Sequence, residues 1–352
     1  KGQGNALMYP NPYSRTPGDI DVWIHASRER IIEYASKKFE LEDDIRLQHL
    51  ETSLDGVPVE LHFFPCSMNN PIYHARLQKW FRRNADLQCS HIVGLPDGAG
   101  DIAIPTTAFN VIYQLMHLYH HFFDEGIGMR QIIDYFLVVN DFSKNVFLNN
   151  DLSNPSVNFS NHPVPLSKEG STFSPSPSSS GSGDVTAPSW CSEPLRSKDG
   201  GPSKVSPNCA GWDRRGVSGD TGSVSCSSAS TTDSSASTAL DVVQRELKYL
   251  ELWKFARAVM YVLHEALGLS EEKMIAPMDE KRGKLLLAEI LNGGNFGKHF
   301  TKYGHFTQQG MAKKYFLKIW RNMHFVRYYP AEALSEPIFR TWHFFWRMKN
   351  RK

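Results

Sequence analysis

The stretch Arg15-Thr-Pro-Gly-Asp-Ile-Asp-Val-Trp-Ile24 carries two aspartates, one residue apart, at the start of an apolar run. Its alternation predicts a β-strand on which Asp19 and Asp21 point to one face and the intervening apolar residues to the other. Two adjacent carboxylates repel each other, and aspartate is a poor strand former. A divalent cation between them would offset both penalties, and carboxylate oxygens suit Mg²⁺.

A second acidic strand is predicted at Val57-Pro-Val-Glu-Leu-His-Phe-Phe64. Alternation places Glu60 and His62 on one face and the apolar residues on the other. A third carboxylate on a neighbouring strand would complete a site for two metal ions that supports in-line phosphoryl transfer. We therefore predict that Asp19, Asp21 and Glu60 are both metal ligands and catalytic residues. The structural alternative is that Asp19 caps a turn and Glu60 is a solvated strand residue.

The surrounding pattern predicts a small α/β unit followed by helices. Residues 27–39 have the spacing of an amphipathic helix with Ser27 as its N-cap. Segments 45–53 and 57–64 read as strands joined at Asp55-Gly56, a dipeptide typical of β-hairpins. Further segments with helical spacing are residues 105–123, 129–140, 241–267, 281–291 and 312–324.

Composition divides the chain. Residues 153–237 contain no Ile, Met or Tyr and only two Leu, and they are rich in Ser, Pro and Gly. So little apolar surface cannot offset the entropy of ordering the chain, which predicts disorder. The predicted organisation is a core at residues 1–100, a helical extension at 101–145, a disordered Ser/Pro/Gly-rich insertion at 146–240, and a helical, basic-aromatic region at 241–352.

Cysteine usage and hydropathy limit the function classes. The five cysteines form no C-x-x-C pair, which argues against a disulfide framework and a structural zinc site. No apolar run approaches the roughly 18 residues that a transmembrane helix needs, and no secretory leader is evident. A cytoplasmic protein without a transmembrane segment is therefore expected.

Six segments of the chain form a recognisable set. They are Lys1-Gly-Gln-Gly-Asn-Ala, Tyr9-Pro-Asn-Pro, Arg15 with Gly18-Asp-Ile-Asp-Val-Trp, Gly128-Met-Arg-Gln-Ile-Ile-Asp134, Leu252-Trp-Lys-Phe-Ala256 and Gly293-Gly-Asn-Phe-Gly297. Together they resemble the uncharacterised nucleotidyltransferase family of the polymerase-β-like superfamily. That superfamily has a glycine turn, then D-x-D or D-x-E on one strand and an acidic residue on the next.

The resemblance implies an α+β fold with a small mixed-sheet nucleotidyltransferase core followed by a helical region. In the implied reaction, an acceptor group attacks the α-phosphate of an NTP and pyrophosphate leaves. Asp19 and Asp21 would ligate two Mg²⁺ ions, with Mn²⁺ as a substitute. Glu60 would hold the metal at the nucleophile and act as, or orient, the general base.

The resemblance also implies that Gly2 and Gly4 open a helix whose backbone N–H groups face the triphosphate. The strand expected before Gly2 is absent, so the core is predicted to be N-terminally truncated. The turn reads Gly-Gln-Gly rather than the Gly-Ser usual in the superfamily.

Two arginines are further candidates for binding the nucleotide. Arg15 lies four residues before Asp19 and could reach phosphate oxygens, although an arginine in a loop is commonly solvated. Arg130 and Asp134 have the spacing of an ion pair on one helix face. The resemblance adds a substrate-facing role for Arg130.

Two weaker patterns have mainly structural interpretations. His117 and His121 share a helix face, as zinc ligands can, but no third ligand is indicated, so they are predicted to be core or supporting histidines. The segment Gly293-Gly-Asn-Phe-Gly297 is predicted to end a helix in a turn, with a phosphate-binding nest as the minority alternative.

The C-terminal segment combines positive charge with aromatic rings. Residues 295–352 have a net charge of +10, from 12 Lys/Arg and 2 Glu. Such a segment can bind nucleic acid through phosphate contacts and base stacking, or lie on an anionic membrane surface. The third alternative is a helical domain with its rings in the core and its cations in solvent.

Two rival functions remain open. A D-x-D glycosyltransferase also binds a metal–diphosphate, but it would normally place a longer nucleotide-binding domain before its D-x-D and would not need Glu60. A non-catalytic nucleotide-binding protein of the same fold is the second rival, and the intact set of carboxylates counts against it. The acceptor stays open among a protein hydroxyl, a nucleic-acid end, a sugar and an antibiotic.

Overall fold

The computed structural model describes residues 2–39, 41, 45–151, 238–293 and 311–350. In chain order the elements are α1 (Gly2–Ala6), β1 (Ile20–Trp23), α2 (Arg28–Lys38), β2 (His49–Leu54), β3 (Val57–His62), α3 (Pro71–Ser90), β4 (Ile92–Gly94), β5 (Asp101–Ala103), α4 (Thr107–Asp124), α5 (Met129–Asp151), α6 (Ala239–Tyr249), α7 (Trp253–Leu267), α8 (Glu280–Gly293), α9 (Met311–Met323) and α10 (Pro330–Asn350). The predicted α+β class, with a small mixed sheet followed by helices, is confirmed.

Most of the predicted disordered insertion, together with the turn after Gly293, lies outside the described residues. Helix α5 continues to Asp151 and α6 begins at Ala239, so helices occupy both ends of the segment predicted as the insertion. The described parts before and after it belong to one compact unit. Within those parts, no helix is both long and apolar enough to cross a membrane.

A three-stranded mixed sheet carries the acidic residues. Its strand order is β1-β3-β2, with β3 parallel to β1 and antiparallel to β2. The predicted hairpin between β2 and β3 is confirmed, and Asp55 and Gly56 have φ angles of 51° and 78°. Two consecutive residues with positive φ suit a type I′ turn, which Asp-Gly accommodates with little strain.

One face of this sheet is apolar and packs on α2. Ile31 and Ala35 of the helix are buried against Leu50, Val59 and Leu61 of the sheet. Each fully buried leucine or isoleucine stabilises the fold by about 1.5–3 kcal/mol. Because side chains alternate along a strand, this packing leaves the polar residues of β1 and β3 on the opposite face.

The opposite face is bounded by helices α3 and α4. Trp23 of β1 stacks on Phe109 of α4, with ring centroids 6.4 Å apart, and meets Phe81 of α3 edge-on at 5.9 Å. Trp80 of α3 stacks on the same Phe109 at 4.4 Å. This aromatic cluster fixes the end of β1, two residues after Asp21.

Helix α3 and the short β4–β5 hairpin are absent from the sequence predictions. The start of α3 nevertheless has a local signal, because Asn70 precedes Pro71. The Asn70 side chain accepts hydrogen bonds from the backbone N–H groups of Ile72 and Tyr73, as an N-cap does, and proline is favoured at the first helical position. Helix α10, which begins at Pro330, was missed as well.

Residues 241–267 form two helices rather than one. Helices α6 and α7 are separated at Glu251, which has a φ of 61°. Leu250 and Leu252, on either side of the break, are completely buried. The change of direction lets the apolar faces of both helices enter the same core, which a continuous helix would not allow.

The C-terminal region closes the end of α4 with buried polar groups. Arg321 is 1% exposed and donates to the carbonyl oxygen of Phe122 at 2.7 Å. Asn322 donates to the carbonyl oxygen of Phe123 at 3.1 Å. The last carbonyls of a helix have no partner within the helix, so these two side chains satisfy groups that would otherwise be buried without a hydrogen bond.

Asp124, the last residue of α4, holds two further cations of this region. Lys318 and Arg340 each lie 2.9 Å from its Oδ1 atom. Burial alone would raise the pKa of Asp124, but the two cations outweigh it and hold the pKa well below its usual range. The sequence alternative for this region, a helical domain with buried rings and solvent-facing cations, is therefore wrong for Lys318 and Arg340. It is also wrong for several large rings, which are exposed at Phe316, Trp320, Trp342, Phe344 and Phe345.

Glu332 connects α10 with the start of α3. Its carboxylate is 3% exposed and accepts backbone N–H hydrogen bonds from Asn69 at 2.5 Å and Asn70 at 3.2 Å. Burial raises the pKa of Glu332 from its ordinary 4.5 to about 7, and the two N–H groups limit the rise. The folded protein therefore retains a proton on Glu332 that the unfolded chain loses above pH 4.5.

We expect Glu332→Ala to lower the free energy of unfolding by about 1–3 kcal/mol, because two buried N–H groups lose their acceptor. The exposed Glu265→Ala should change it by no more than about 0.5 kcal/mol. Glu332→Gln should gain stability relative to wild type as the pH rises from 4.5 to about 7, since the wild-type contribution is lost across that window. Urea unfolding at several pH values measures all three variants, and equal midpoints for Glu332→Ala and Glu265→Ala would contradict this role.

Candidate active site

The three predicted carboxylates come together on one face of the sheet. Asp21 of β1 is the register partner of Glu60 of β3, and Asp19 lies immediately before β1. Carboxylate oxygens of all three residues lie within 4.8 Å of one another. Asp19 is exposed whereas Asp21 and Glu60 are partly buried, so the cluster opens to solvent at Asp19. Such a group of oxygen atoms has the chemistry of a Mg²⁺ site.

His62 lies between two of these carboxylates. Its Nε2 atom is 3.1 Å from Oδ1 of Asp21 and 3.1 Å from Oε2 of Glu60. Burial would lower the pKa of His62, but the hydrogen bonds and charges of both carboxylates outweigh it and raise the pKa. A protonated imidazole at this position reduces the repulsion between Asp21 and Glu60. The sequence placed His62 on the face of Glu60 without assigning it a role.

His49 of β2 completes the polar face and was missed by the sequence analysis. It is the register partner of His62, with ring centroids 5.0 Å apart. Its Nδ1 atom lies 3.5 Å from Oε2 of Glu60, and its Nε2 atom lies 3.5 Å from Oε1 of Glu51. The pKa of His49 is lowered to about 4, mainly by burial of the ring. The ring is therefore neutral near pH 7. The two-residue turn of the hairpin already implied that the two histidines are paired.

Glu60 is the residue common to these contacts. Burial would raise its pKa, but the hydrogen bond with His62 and the neighbouring His49 outweigh burial and lower it. Glu60 is therefore ionised at neutral pH. An ionised carboxylate at this position can bind a cation or accept a proton.

The Arg15 side chain forms an ion pair with Asp134 of helix α5. Its Nε and Nη2 atoms donate to the two carboxylate oxygens of Asp134 at 3.0 and 2.8 Å, and the Tyr9 hydroxyl donates to Oδ1 at 2.7 Å. The predicted ion pair between Arg130 and Asp134 is wrong. A guanidinium bound through two parallel hydrogen bonds satisfies both carboxylate oxygens, which explains the preference for Arg15.

Gly2 and Gly4 are accounted for by close packing. A Cβ atom on Gly2 would lie 3.3 Å from Nη1 of Arg15, and one on Gly4 would lie 3.0 Å from the side chain of Ile104. Both glycines belong to α1, a helix of five residues. The structure therefore explains the absence of side chains at these positions, and the phosphate contact of Gly2 and Gly4 stays a prediction.

Arg130 lies beside the carboxylate cluster. Its Nη2 atom is 3.9 Å from the position that a Cβ atom of Gly18 would occupy, and Gly18 directly precedes Asp19. Its Nε atom is buried and has no hydrogen-bond partner among the residues that the structure describes. The guanidinium is thus positioned next to the opening of the cluster.

The histidines of α4 form a contact of their own. Nε2 of His121 lies 3.0 Å from Nε2 of His117, with the two rings nearly perpendicular. Across the described ranges, no group of three potential metal ligands includes either residue. The supporting role of these two histidines stays a prediction.

Breaking the Arg15–Asp134 pair should destabilise the fold. The two side chains are only 12% and 10% exposed, so Asp134→Asn would leave Arg15 buried without its counter-charge. We expect the free energy of unfolding to fall by about 3–5 kcal/mol. The exposed pair of Lys284 and Glu280 provides the control, and Glu280→Gln should change stability by less than about 1 kcal/mol. Denaturant unfolding tests the difference, and equal effects would show that the pair does not stabilise the fold.

Comparison with known proteins places the N-terminal part of the chain near one described family. Residues 1–153 match the model of a family described as "Uncharacterised nucleotidyltransferase". That region contains the three carboxylates and both arginines of the candidate site, and it does not reach the resembling segments at 252–256 and 293–297. No curated protein and no solved structure matches the chain. The N-terminal region of this chain, residues 1–153, is therefore similar to the uncharacterised nucleotidyltransferase family.

Proposed function

We propose that this protein transfers a nucleoside monophosphate from an NTP to an acceptor, with release of pyrophosphate, in a reaction that requires Mg²⁺ or Mn²⁺. The observation that carries the proposal is the approach of Asp19, Asp21 and Glu60 to within 4.8 Å of one another. The cluster stands on adjacent parallel strands inside the region that matches a nucleotidyltransferase family. A general nucleotidyltransferase role follows from the family, and the metal and the reaction are our inference from the site.

The donor set fits hard divalent cations. Asp19 and Asp21 would ligate two Mg²⁺ ions, and Glu60 would ligate the ion at the attacking group. When bound, the ions supply positive charge that neutralises the triphosphate, activates the acceptor and stabilises the leaving pyrophosphate. Because Glu60 is ionised and lies beside the cluster, it can also accept or orient the proton of the acceptor.

Substrate charge explains why these carboxylates need cations. A triphosphate and three carboxylates are all anionic, so the cluster alone would repel its substrate. Protein cations close to the cluster reduce this repulsion. Arg130 is one such cation, because its Nη2 atom lies 3.9 Å from the position that a Cβ atom of Gly18 would occupy. We assign Arg130 to the triphosphate.

Arg15 has a different role in this proposal. Its Nε and Nη2 atoms are occupied by Asp134, whereas Nη1 lies against Gly2. Arg15 would therefore contact phosphate through Nη1 while Asp134 fixes its orientation. The backbone N–H groups around Gly2 and Gly4 are assigned to the same end of the nucleotide by the family resemblance alone.

Asp21→Asn should reduce nucleotidyl transfer by about 100-fold or more, because it keeps the shape of the side chain but removes one negative charge from the metal site. The assay follows transfer of the α-labelled phosphate of NTPs to the protein or to added acceptors, with Mg²⁺ or Mn²⁺. Asp55→Asn is the matched control, since Asp55 lies exposed in the hairpin turn and asparagine tolerates a positive φ.

Labelling that is equal in wild type and Asp21→Asn, or that survives EDTA, would defeat the proposed mechanism. If no added acceptor is labelled, calorimetry of NTP binding decides the question. We then expect wild type to bind NTP only when Mg²⁺ is present, and Asp21→Asn to bind it more weakly. Absence of Mg²⁺-dependent binding in wild type would overturn the proposal.

Arg130→Gln should weaken binding of Mg²⁺-NTP roughly 10- to 150-fold, which corresponds to the 1.5–3 kcal/mol typical of a hydrogen bond to a charged group. The control is Arg30→Gln, an exposed arginine on α2 whose loss should leave binding unchanged. Isothermal titration calorimetry with the same NTP measures both variants. Equal dissociation constants for Arg130→Gln and wild type would remove Arg130 from the nucleotide site.

A further inference from the structure

A second group of potential metal ligands lies beside the carboxylate cluster on the same sheet face. It consists of His49, Glu60 and His62, whose ligand atoms all lie within 4.8 Å of one another. His49 and His62 are register partners on β2 and β3, and Glu60 lies two residues before His62. Because all three side chains project from paired strands, the backbone holds them in place without rearrangement.

The distances within this group suit a tetrahedral metal. Oε2 of Glu60 lies 3.1 Å from Nε2 of His62 and 3.5 Å from Nδ1 of His49. Ligand atoms bound at 2.0–2.1 Å in a tetrahedral site are separated from one another by about 3.3 Å. The distances from Glu60 to His62 and from Glu60 to His49 are therefore already close to this spacing.

The environment of His49 provides an independent observation. Both of its ring nitrogens are buried, and neither has a hydrogen-bond partner in the ranges that the structure describes. Nδ1 faces Glu60, whereas Nε2 faces Glu51, which Arg46 holds at 2.6 Å. A metal-bound histidine characteristically directs its second nitrogen at a carboxylate, which is the arrangement of His49 and Glu51.

His62 presents the nitrogen that a metal would need. Its Nδ1 atom lies 3.4 Å from the side-chain nitrogen of Gln48, so the Nε2 atom points at the carboxylates. Oδ1 of Asp21 lies 3.1 Å from that Nε2 atom and is the nearest further oxygen. Asp21 or water can therefore supply a fourth ligand.

We propose that His49, Glu60 and His62 form a binding site for Zn²⁺ that shares Glu60 with the Mg²⁺ site of the carboxylate cluster. Two imidazole ligands favour zinc over magnesium, which prefers oxygen ligands alone. Glu60 belongs to both groups, so Zn²⁺ bound here withdraws Glu60 from the Mg²⁺ site and inhibits nucleotidyl transfer. That inhibition rests on the proposed function, whereas the zinc site itself does not.

Experiments on the unmodified full-length protein test the ligand set directly. We expect calorimetry to show Zn²⁺ binding, and zinc-edge X-ray absorption to show two imidazoles with oxygen completing the shell. A shell of oxygen atoms only, a shell containing sulfur from the cysteines, or the absence of Zn²⁺ binding would each overturn the proposal.

Variants separate this site from the carboxylate cluster. His49→Gln should weaken Zn²⁺ binding by more than about 100-fold, and Glu51→Gln by roughly 10- to 100-fold, the effect typical of losing an outer partner of a ligand. His25→Gln is the matched control, because the His25 side chain is 46% exposed. Zn²⁺ binding that is unchanged in both His49→Gln and Glu51→Gln would overturn the site.

Asp19→Asn distinguishes the zinc site from the proposed function. We expect it to lose Mg²⁺-dependent NTP binding and to retain Zn²⁺ binding, because Asp19 is not a member of the histidine group. Loss of Zn²⁺ binding in Asp19→Asn to the same extent as in His49→Gln would contradict a zinc ligand set that excludes Asp19. Should His49→Gln fail to give a folded circular dichroism spectrum, Glu51→Gln and the absorption spectrum of wild type carry the test.

Discussion

The pairing of Asp21 with Glu60 on adjacent parallel strands is the constraint on which the rest of the site depends. It brings two negative charges onto a partly buried face, where their repulsion is larger than in water. The apolar side of the same strands packs on α2, which holds the register because a slip of one residue would turn the carboxylates into the core. The charges therefore cannot separate and must be offset locally.

Cations of three kinds can offset these charges: a protonated histidine, divalent metal ions and arginine guanidinium groups. His62 contacts both carboxylates, and the proposed divalent ions would provide more charge during the reaction. Arg15 is fixed by Asp134, so the site contains a guanidinium with a set direction as well as Arg130, whose Nε atom has no partner in the described residues. Glu60 joins an oxygen-rich group on one side to a nitrogen-rich group on the other, which makes it the residue where two kinds of metal would compete.

The helices determine how firmly this face is held. The aromatic contacts of Trp23 fix the end of β1 against α3 and α4. The last turn of α4 is in turn closed by Arg321 and Lys318 of α9, and the start of α3 by Glu332 of α10. The C-terminal helices thus stabilise the elements that border the site, although none of these residues belongs to the carboxylate cluster.

The sequence by itself determined the α+β class, the β2–β3 hairpin and the identity of the three neighbouring carboxylates, because strand alternation and turn preferences are local properties. It also contained the pairing of His49 with His62, which follows from the two-residue turn. Only the tertiary structure decided that Arg15 binds Asp134, 119 positions away, and that Arg321 binds a carbonyl 199 positions away. The local sequence around an arginine does not show which distant acceptor the fold will bring to it. The fold must supply an acceptor wherever the arginine is buried, because an unpaired buried charge is costly.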